Sequence, residues 1–201
     1  MNIFREFNIA DWFSFYRILA IPLLIAFLLM GQRELFTWFL LVSYSTDAID
    51  GFLARRLNLS SARGAQLDSI GDQATLVAGL FGLLVFENTF IRNNFSLIII
   101  AFVPYLIQMA IAFWKYGKTT AFHTYLAKIS AILQAIFILW TLFFGPVYWL
   151  FYLMIAVGIL ETIEEITLIF MYDEWVEDVR GIYWARKDER RTRSGSARNA
   201  D

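Results

Sequence analysis

Cysteine is absent from the 201-residue chain, which excludes disulfides and thiolate metal sites. Histidine occurs once, at His123, so any metal would depend on oxygen ligands or on that one imidazole. Charge is scarce as well: Asp, Glu, Lys and Arg make up 17% of the residues, against about 25% in an ordinary soluble domain. The formal net charge is only −1, which excludes the basic surface that a nucleic-acid binder needs to neutralise phosphates. No Ser/Gly linker, repeat or low-complexity tract divides the chain, so one domain is expected over residues 1–172, followed by a charged tail over 173–201.

Apolar mass fills the space left by these absences. Hydrophobic residues make up 59% of the chain, with 20 Phe and 7 Trp, and the mean hydropathy is +0.56. This composition predicts an integral membrane protein. A spanning helix needs about 20 apolar residues, so this length predicts an all-α bundle of six transmembrane helices without a large extramembrane domain. The apolar runs are Ile18–Met30, Leu35–Leu53, Thr75–Phe86, Phe95–Trp114, Tyr125–Phe144 and Val147–Tyr172. Ahead of them, Asn2 to Tyr16 mixes Phe4, Phe7, Ile9, Trp12 and Phe13 with Arg5, Glu6 and Asp11, a pattern that suits an interfacial amphipathic helix. The first run lacks the preceding basic region and small-residue cleavage site of a signal peptide, and is expected to be retained.

Lys and Arg prefer cytoplasmic loops. With six spans and a cytoplasmic N-terminus, fifteen of the seventeen basic residues fall inside and only Arg33 and Arg92 fall outside. The expected location is therefore the cytoplasmic membrane, with both termini in the cytoplasm. The tail begins acidic (Asp173, Glu174, Glu177, Asp178), turns basic, and reads as a solvated segment whose basic end contacts anionic membrane lipids.

The most informative stretch is Asp47-Ala-Ile-Asp50-Gly51-Phe-Leu-Ala54-Arg55, then eight residues, then Gly64-Ala-Gln-Leu-Asp68-Ser-Ile-Gly-Asp72. Asp47 and Asp50 are spaced i,i+3, and Asp68 and Asp72 i,i+4, so each pair shares a helix face. An ionised carboxylate in a bilayer costs about 2.5–3.5 kcal/mol, and four together repel one another. A cation must hold them, and oxygen-only ligation favours a hard divalent ion such as Mg²⁺, usually shared with substrate phosphates. Gly51, Ala54 and Gly64 add faces with almost no side chain, where a diphosphate and a flat base can approach the backbone. Small residues also let membrane helices pack closely, which is the plainer reading of Gly51 or Ala54 taken alone.

The segment resembles the signature of the CDP-alcohol phosphatidyltransferases, D-x-x-D-G-x-x-A-R, eight residues, G-x-x-x-D-x-x-x-D. Asp47, Asp50, Gly51, Ala54, Arg55, Gly64, Asp68 and Asp72 meet every fixed position. Asp11, Ser14 and Arg17 resemble a further family pattern before the first span, although many members carry Asn where Asp11 stands. The resemblance implies a six-helix membrane enzyme, commonly a homodimer. It implies two Mg²⁺ or Mn²⁺ ions held by Asp47, Asp50, Asp68 and Asp72, with Asp72 as the general base. It also implies contacts to the CDP moiety from Gly51, Ala54, Arg55, Ser61, Asp11 and Ser14. The substrates it implies are a CDP-linked lipid donor and a small alcohol acceptor, with release of CMP.

The acceptor is read from elsewhere. The loop Lys115-Tyr-Gly-Lys118-Thr119-Thr120-Ala-Phe-His123-Thr124 and Lys128 beyond it share the expected cytoplasmic side with the aspartates. Lys118 and Lys128 suit a phosphorylated acceptor such as glycerol 3-phosphate; alternatively the loop lysines merely follow the positive-inside rule. Inositol phosphate, serine, or diacylglycerol with CDP-choline or CDP-ethanolamine are the other acceptor readings. His123 reads as an interfacial polar residue. Glu161, Glu164 and Glu165 interrupt the last span and are read either as partners of Lys128 or Arg17 or as lining of the acceptor cavity. A carboxylate cluster also suits a divalent-cation transporter, but such a protein would place acids near mid-membrane and show repeated halves. A catalytically dead homologue is the third reading, and the complete aspartate set speaks against it.

Overall fold

The computed structural model describes residues 9–57 and 62–187. It is helical: α1 (Ile9–Leu29), α2 (Arg33–Leu57), α3 (Ala62–Phe86), the short α4 (Asn88–Asn93), α5 (Phe95–Tyr116), α6 (Tyr125–Phe144) and α7 (Tyr148–Met171), with a further turn of helix at 182–187. Among the described residues there is no strand, only an isolated parallel bridge between Ala121 and Glu177. Among the described residues two helices, α5 and α6, are long and apolar enough to cross a bilayer. Leu19–Leu29 and Gly71–Phe86 are shorter apolar stretches, and α7 carries three glutamates near its end.

The chain divides into two compact units: Met1–Asn93 with Ala135–Val147, and Asn94–Gln134 with the chain from Tyr148. In the first, α1, α2 and α3 pack on one another. The contact stripe of α2 runs through Phe36, Leu40 and Ser43, all fully buried, at the spacing of one helix face. It meets α3 along small residues. A Cβ on Gly82 would strike the Phe36 ring, and one on Gly79 would come within 3.1 Å of Ile138 Cγ2 and 3.2 Å of the Tyr44 hydroxyl, so glycine is what lets these elements approach. Phe90 of α4 sits 6.1 Å from Phe137, and Leu24, Phe137, Ile138 and Leu142 complete this core.

In the second unit α5 packs on α7. Gly117 ends α5 in the left-handed region (φ +71°), its N–H bonded to Phe113 O at 2.9 Å. The carbonyls at the end of α7 are capped by side chains: Lys115 Nζ donates to Ile169 O (2.9 Å), and the Tyr116 hydroxyl lies 3.0 Å from Ile169 O and 2.7 Å from Tyr172 O.

One expectation is corrected. The tail is not solvated along its whole length. Residues 173–187 fold back on the 117–124 loop, where Val179 and Ala185 join Ala112, Phe122, Leu168 and Ile169 in one buried cluster. Backbone bonds from Asp178 N to Ala121 O (3.1 Å) and from Tyr125 N to Arg180 O (3.3 Å) stitch this strap down. Its apolar residues are spaced too irregularly among charges to announce burial in sequence. At the other end, residues 9–16 of the expected interfacial segment continue into the first apolar run as one helix, α1. Residues 2–8 of that segment, and 188–201 of the tail, lie outside the described residues.

Candidate functional site

The aspartates fall where two consecutive helices adjoin. Asp47 and Asp50 lie within the last three turns of α2, and Asp68 and Asp72 within the first three turns of α3. Five chain steps separate Leu57 from Ala62, at most about 18 Å, so the two helix ends are neighbours. Gly51, Ala54 and Arg55 belong to the same end of α2, while Asp11 and Ser14 lie in the first turns of α1. Ser61 lies outside the described residues, as do the side chains of Asp11, Ser14, Asp47, Asp50, Gly51, Ala54, Arg55 and Asp68. The Asp72 side chain is described, and it is exposed, as a proton acceptor for an incoming substrate must be.

The donor chemistry fits Mg²⁺ or Mn²⁺: four carboxylates, all oxygen. Two buried hydroxyls agree with that fit. Ser43, one turn before Asp47, is fully buried, and Thr75, three residues after Asp72, is 2% exposed. Neither Ser43 Oγ nor Thr75 Oγ1 has a hydrogen-bond partner among the described residues. A buried hydroxyl left alone costs about 1–3 kcal/mol, whereas Mg²⁺ characteristically keeps several of its waters, which such groups can meet. Among the described side chains no set of three or more His, Asp or Glu is grouped to hold a metal.

A second set of polar residues lies within the other unit. His123, Tyr125 and Lys128 from the loop and first turn of α6, together with Asp178 and Arg180 from the strap, line a cleft of about 200 Å³. Lys128 Nζ stands 5.7 Å from the Tyr125 ring centroid. Thr124 caps α6, its Oγ1 accepting the Ala127 N–H at 3.0 Å, and so fixes the turn that carries Lys128. Lys118, named beside Lys128 in the sequence reading, does not line this cleft. Its ammonium lies 3.3 Å from the Trp175 ring centroid, and Trp175 Nε1 donates to Thr119 O at 3.0 Å. Arg180 had no signal beyond its place in a charged tail; only the folding back of the strap brings it to the cleft.

Of the three α7 glutamates, read from sequence as partners of Lys128 or Arg17 or as lining of the acceptor cavity, Glu164 and Glu165 bond to groups other than Lys128. Glu165, 9% exposed, accepts from Gln108 Nε2 and from Thr120 Oγ1, both at 2.7 Å. Glu164 Oε1 lies 3.4 Å from the Ile182 N–H of the strap. Gly181 next to it has φ +145°, and a Cβ there would come within 2.9 Å of the same carboxylate. Arg17, the other expected partner, has its side chain outside the described residues.

Comparison with known proteins places this arrangement. Residues 7–163, a stretch that includes all four aspartates, match the family model described as CDP-alcohol phosphatidyltransferase. The chain is similar to the CDP-diacylglycerol--glycerol-3-phosphate 3-phosphatidyltransferase of Haemophilus influenzae, 30% identical over 132 residues (58% of this chain, 71% of the relative). It is 26% identical over 170 residues to the protein of the same description from Wigglesworthia glossinidia brevipalpis (82% of this chain, 90% of the relative). A cardiolipin synthase (CMP-forming) / mitochondrial hydrolase fusion protein of Schizosaccharomyces pombe is 29% identical over 119 residues (59% of this chain, 20% of the relative). No solved structure matches the chain. The signature, its placement across α2 and α3 and the extent of the family match agree, and the chain belongs to the CDP-alcohol phosphatidyltransferase family.

Proposed function

We propose that this chain transfers the phosphatidyl group of CDP-diacylglycerol to glycerol 3-phosphate, releasing CMP, in phospholipid synthesis. The observation that carries the reading is the agreement of the complete eight-position signature with relatives whose printed activity is that transfer, one of them aligned over 82% of this chain. In the reaction a hydroxyl oxygen of the acceptor bonds to the phosphorus that bears the diacylglycerol. The bond from that phosphorus to the oxygen of CMP breaks, CMP leaves with the electron pair, and Asp72 takes the hydroxyl proton.

Asp47, Asp50, Asp68 and Asp72 hold the divalent ions in this reading. When bound, the ions supply charge stabilisation to the diphosphate and the leaving CMP. Arg55 adds cationic compensation, and Gly51, Ala54, Ser61, Asp11 and Ser14 receive the CDP moiety. Lys128 receives the acceptor's phosphate in this reading.

The bilayer setting belongs to the same proposal, with six spans formed by α1–α3 and α5–α7, both termini and the aspartates on the cytoplasmic side, and the enzyme a homodimer. It is supported by the fifteen-to-two distribution of basic residues and by the inverted surface of α5. That helix buries Gln108 and Ala112 and exposes Ile100, Phe102, Ile107, Phe113 and Trp114, an arrangement suited to lipid and unfavourable in water. The test is CMP release by the purified protein across a panel of CDP-linked donors and of acceptors. Glycerol 3-phosphate with CDP-diacylglycerol should exceed every other pair, and equal turnover with serine, a free polyol or phosphatidylglycerol would refute the acceptor.

A further inference from the structure

We infer that Ser43 and Thr75 are positioning residues for the divalent ions: from the interface of α2 and α3 their hydroxyls bond the waters and carboxylates around those ions, and so set the affinity of the site for metal. The inference rests on the proposed role of the aspartates and deepens it.

Helix register brings the two residues together. Phe36 near the start of α2 meets Gly82 near the end of α3, so the helices run antiparallel. Ser43 lies seven residues after Phe36, and Thr75 seven residues before Gly82. Seven residues are close to two full turns on either helix, so both hydroxyls return to the contact stripe at one level. Their burial agrees, since Ser43 is 0% and Thr75 2% exposed. Asp47 comes one turn after Ser43 in α2, and Asp72 one turn before Thr75 in α3, so the pair adjoins an acid turn on each helix. Helical side chains lean toward the N-terminus of their helix, which carries the Thr75 hydroxyl toward the turn of Asp72.

The bonding of these hydroxyls sets them apart from their neighbours. Thr37, Ser45 and Thr46 of α2 each donate to a carbonyl three or four residues back, at 2.7–2.8 Å. That is the ordinary outlet for a hydroxyl inside a helix. Ser43 Oγ and Thr75 Oγ1 do not take it, and neither has a partner among the described residues. Nor do they bond one another, the other use of paired hydroxyls between membrane helices. A hydroxyl both donates and accepts. Water on a divalent ion donates and a carboxylate accepts, so a hydrated metal site supplies both kinds of partner in one place.

The experiment titrates Mn²⁺ into the full-length protein in phosphatidylcholine nanodiscs, without any CDP compound, and follows free Mn²⁺ by electron paramagnetic resonance. The thermal unfolding midpoint is read in EDTA on the same samples. Ser43→Ala and Thr75→Val should each weaken Mn²⁺ binding by about ten- to a hundredfold, the usual loss when a group supporting the metal ligands is removed. Thr75→Ser should recover most of that loss. In EDTA the midpoints of Ser43→Ala and Thr75→Val should equal or exceed wild type, because an unsatisfied hydroxyl has gone. Thr141→Val is the control. Its Oγ1 is equally buried and unpartnered, but Thr141 O accepts from Arg33 at the start of α2, far along the helix from the aspartates, and its loss should leave Mn²⁺ affinity unchanged. In turnover, Ser43→Ala and Thr75→Val should need more metal for half-maximal CMP release and regain wild-type kcat in excess metal. Wild-type Mn²⁺ affinity in both variants would overturn the inference, whatever their midpoints. An equal loss in Thr141→Val would overturn it too, since any buried hydroxyl would then have the same effect. Hydroxyl-dependent Mn²⁺ binding without CMP release from CDP-diacylglycerol and glycerol 3-phosphate would refute the proposed function and leave this inference standing.

Discussion

Gln108 of α5 donates to the Glu165 carboxylate of α7 at 2.7 Å, and the same carboxylate oxygen accepts from Thr120 Oγ1. The bond ties two helices and the 117–124 loop through one buried acid. Deleting a single partner leaves a buried polar group unsatisfied, which costs about 1–3 kcal/mol. Glu165→Leu and Gln108→Leu should each lower the thermal unfolding midpoint in detergent. The double variant should lose less than the sum of the two, because the partners are removed together. Additive losses would show that the residues act independently.

At the other unit's helix ends, Arg33 donates from Nε to Leu142 O (2.8 Å) and from Nη2 to Thr141 O (3.0 Å), and pairs with Glu87 Oε1 at 2.6 Å. One guanidinium thus joins the start of α2 to the ends of α3 and α6. Arg33 is 36% exposed, so solvent screening holds the expected loss in Arg33→Ala to about 1–2 kcal/mol. Arg33→Lys should recover little, since an ammonium lacks the planar fork. A stability in Arg33→Lys equal to wild type would remove this role.

Lys118 and Lys128 are both read from sequence as suiting a phosphorylated acceptor, with the positive-inside rule as the alternative for the loop lysines, and the structure separates them. Lys118→Met removes the stacking on Trp175, worth about 0.5–1 kcal/mol at an exposed site. It should leave the acceptor KM unchanged, whereas Lys128→Met should raise it. Equal effects of the two substitutions on the acceptor KM would contradict the separation.

The chain has no cysteine, so an introduced one is unique. Ser61→Cys and Ser194→Cys should react with a membrane-impermeant thiol reagent only after cells are opened. Labelling of Ser61→Cys in intact cells would invert the proposed topology.

Sequence patterning located what depends on local periodicity. The span expected over Tyr125–Phe144 is α6 itself, and α2 and α3 contain the acid pairs at their adjoining ends, because apolar runs and i,i+3 or i,i+4 spacing are written along the chain. The strap was illegible for the opposite reason. Val179 and Ala185 are buried by residues of α5 and α7, and no periodicity in a charged segment records partners so far away along the chain. For the same reason the sequence leaves Glu164 and Glu165 open between Lys128, Arg17 and the acceptor cavity, when Glu165 accepts from an amide and a hydroxyl and Glu164 Oε1 from a backbone N–H. Lys115 shows the limit of counting charge, since its ammonium caps α7 whatever side of a membrane it faces.

The central claim is that the aspartates of α2 and α3 hold divalent ions for phosphatidyl transfer, with Asp72 taking the acceptor's proton. Its most direct test is CMP release from CDP-diacylglycerol and glycerol 3-phosphate by wild type and Asp72→Asn, each with Mg²⁺ and with EDTA. Asn keeps the size of the side chain and removes its charge, so the variant should unfold at the wild-type temperature, while CMP release is lost in the variant and in EDTA alike. Full CMP release by Asp72→Asn in EDTA would contradict the account.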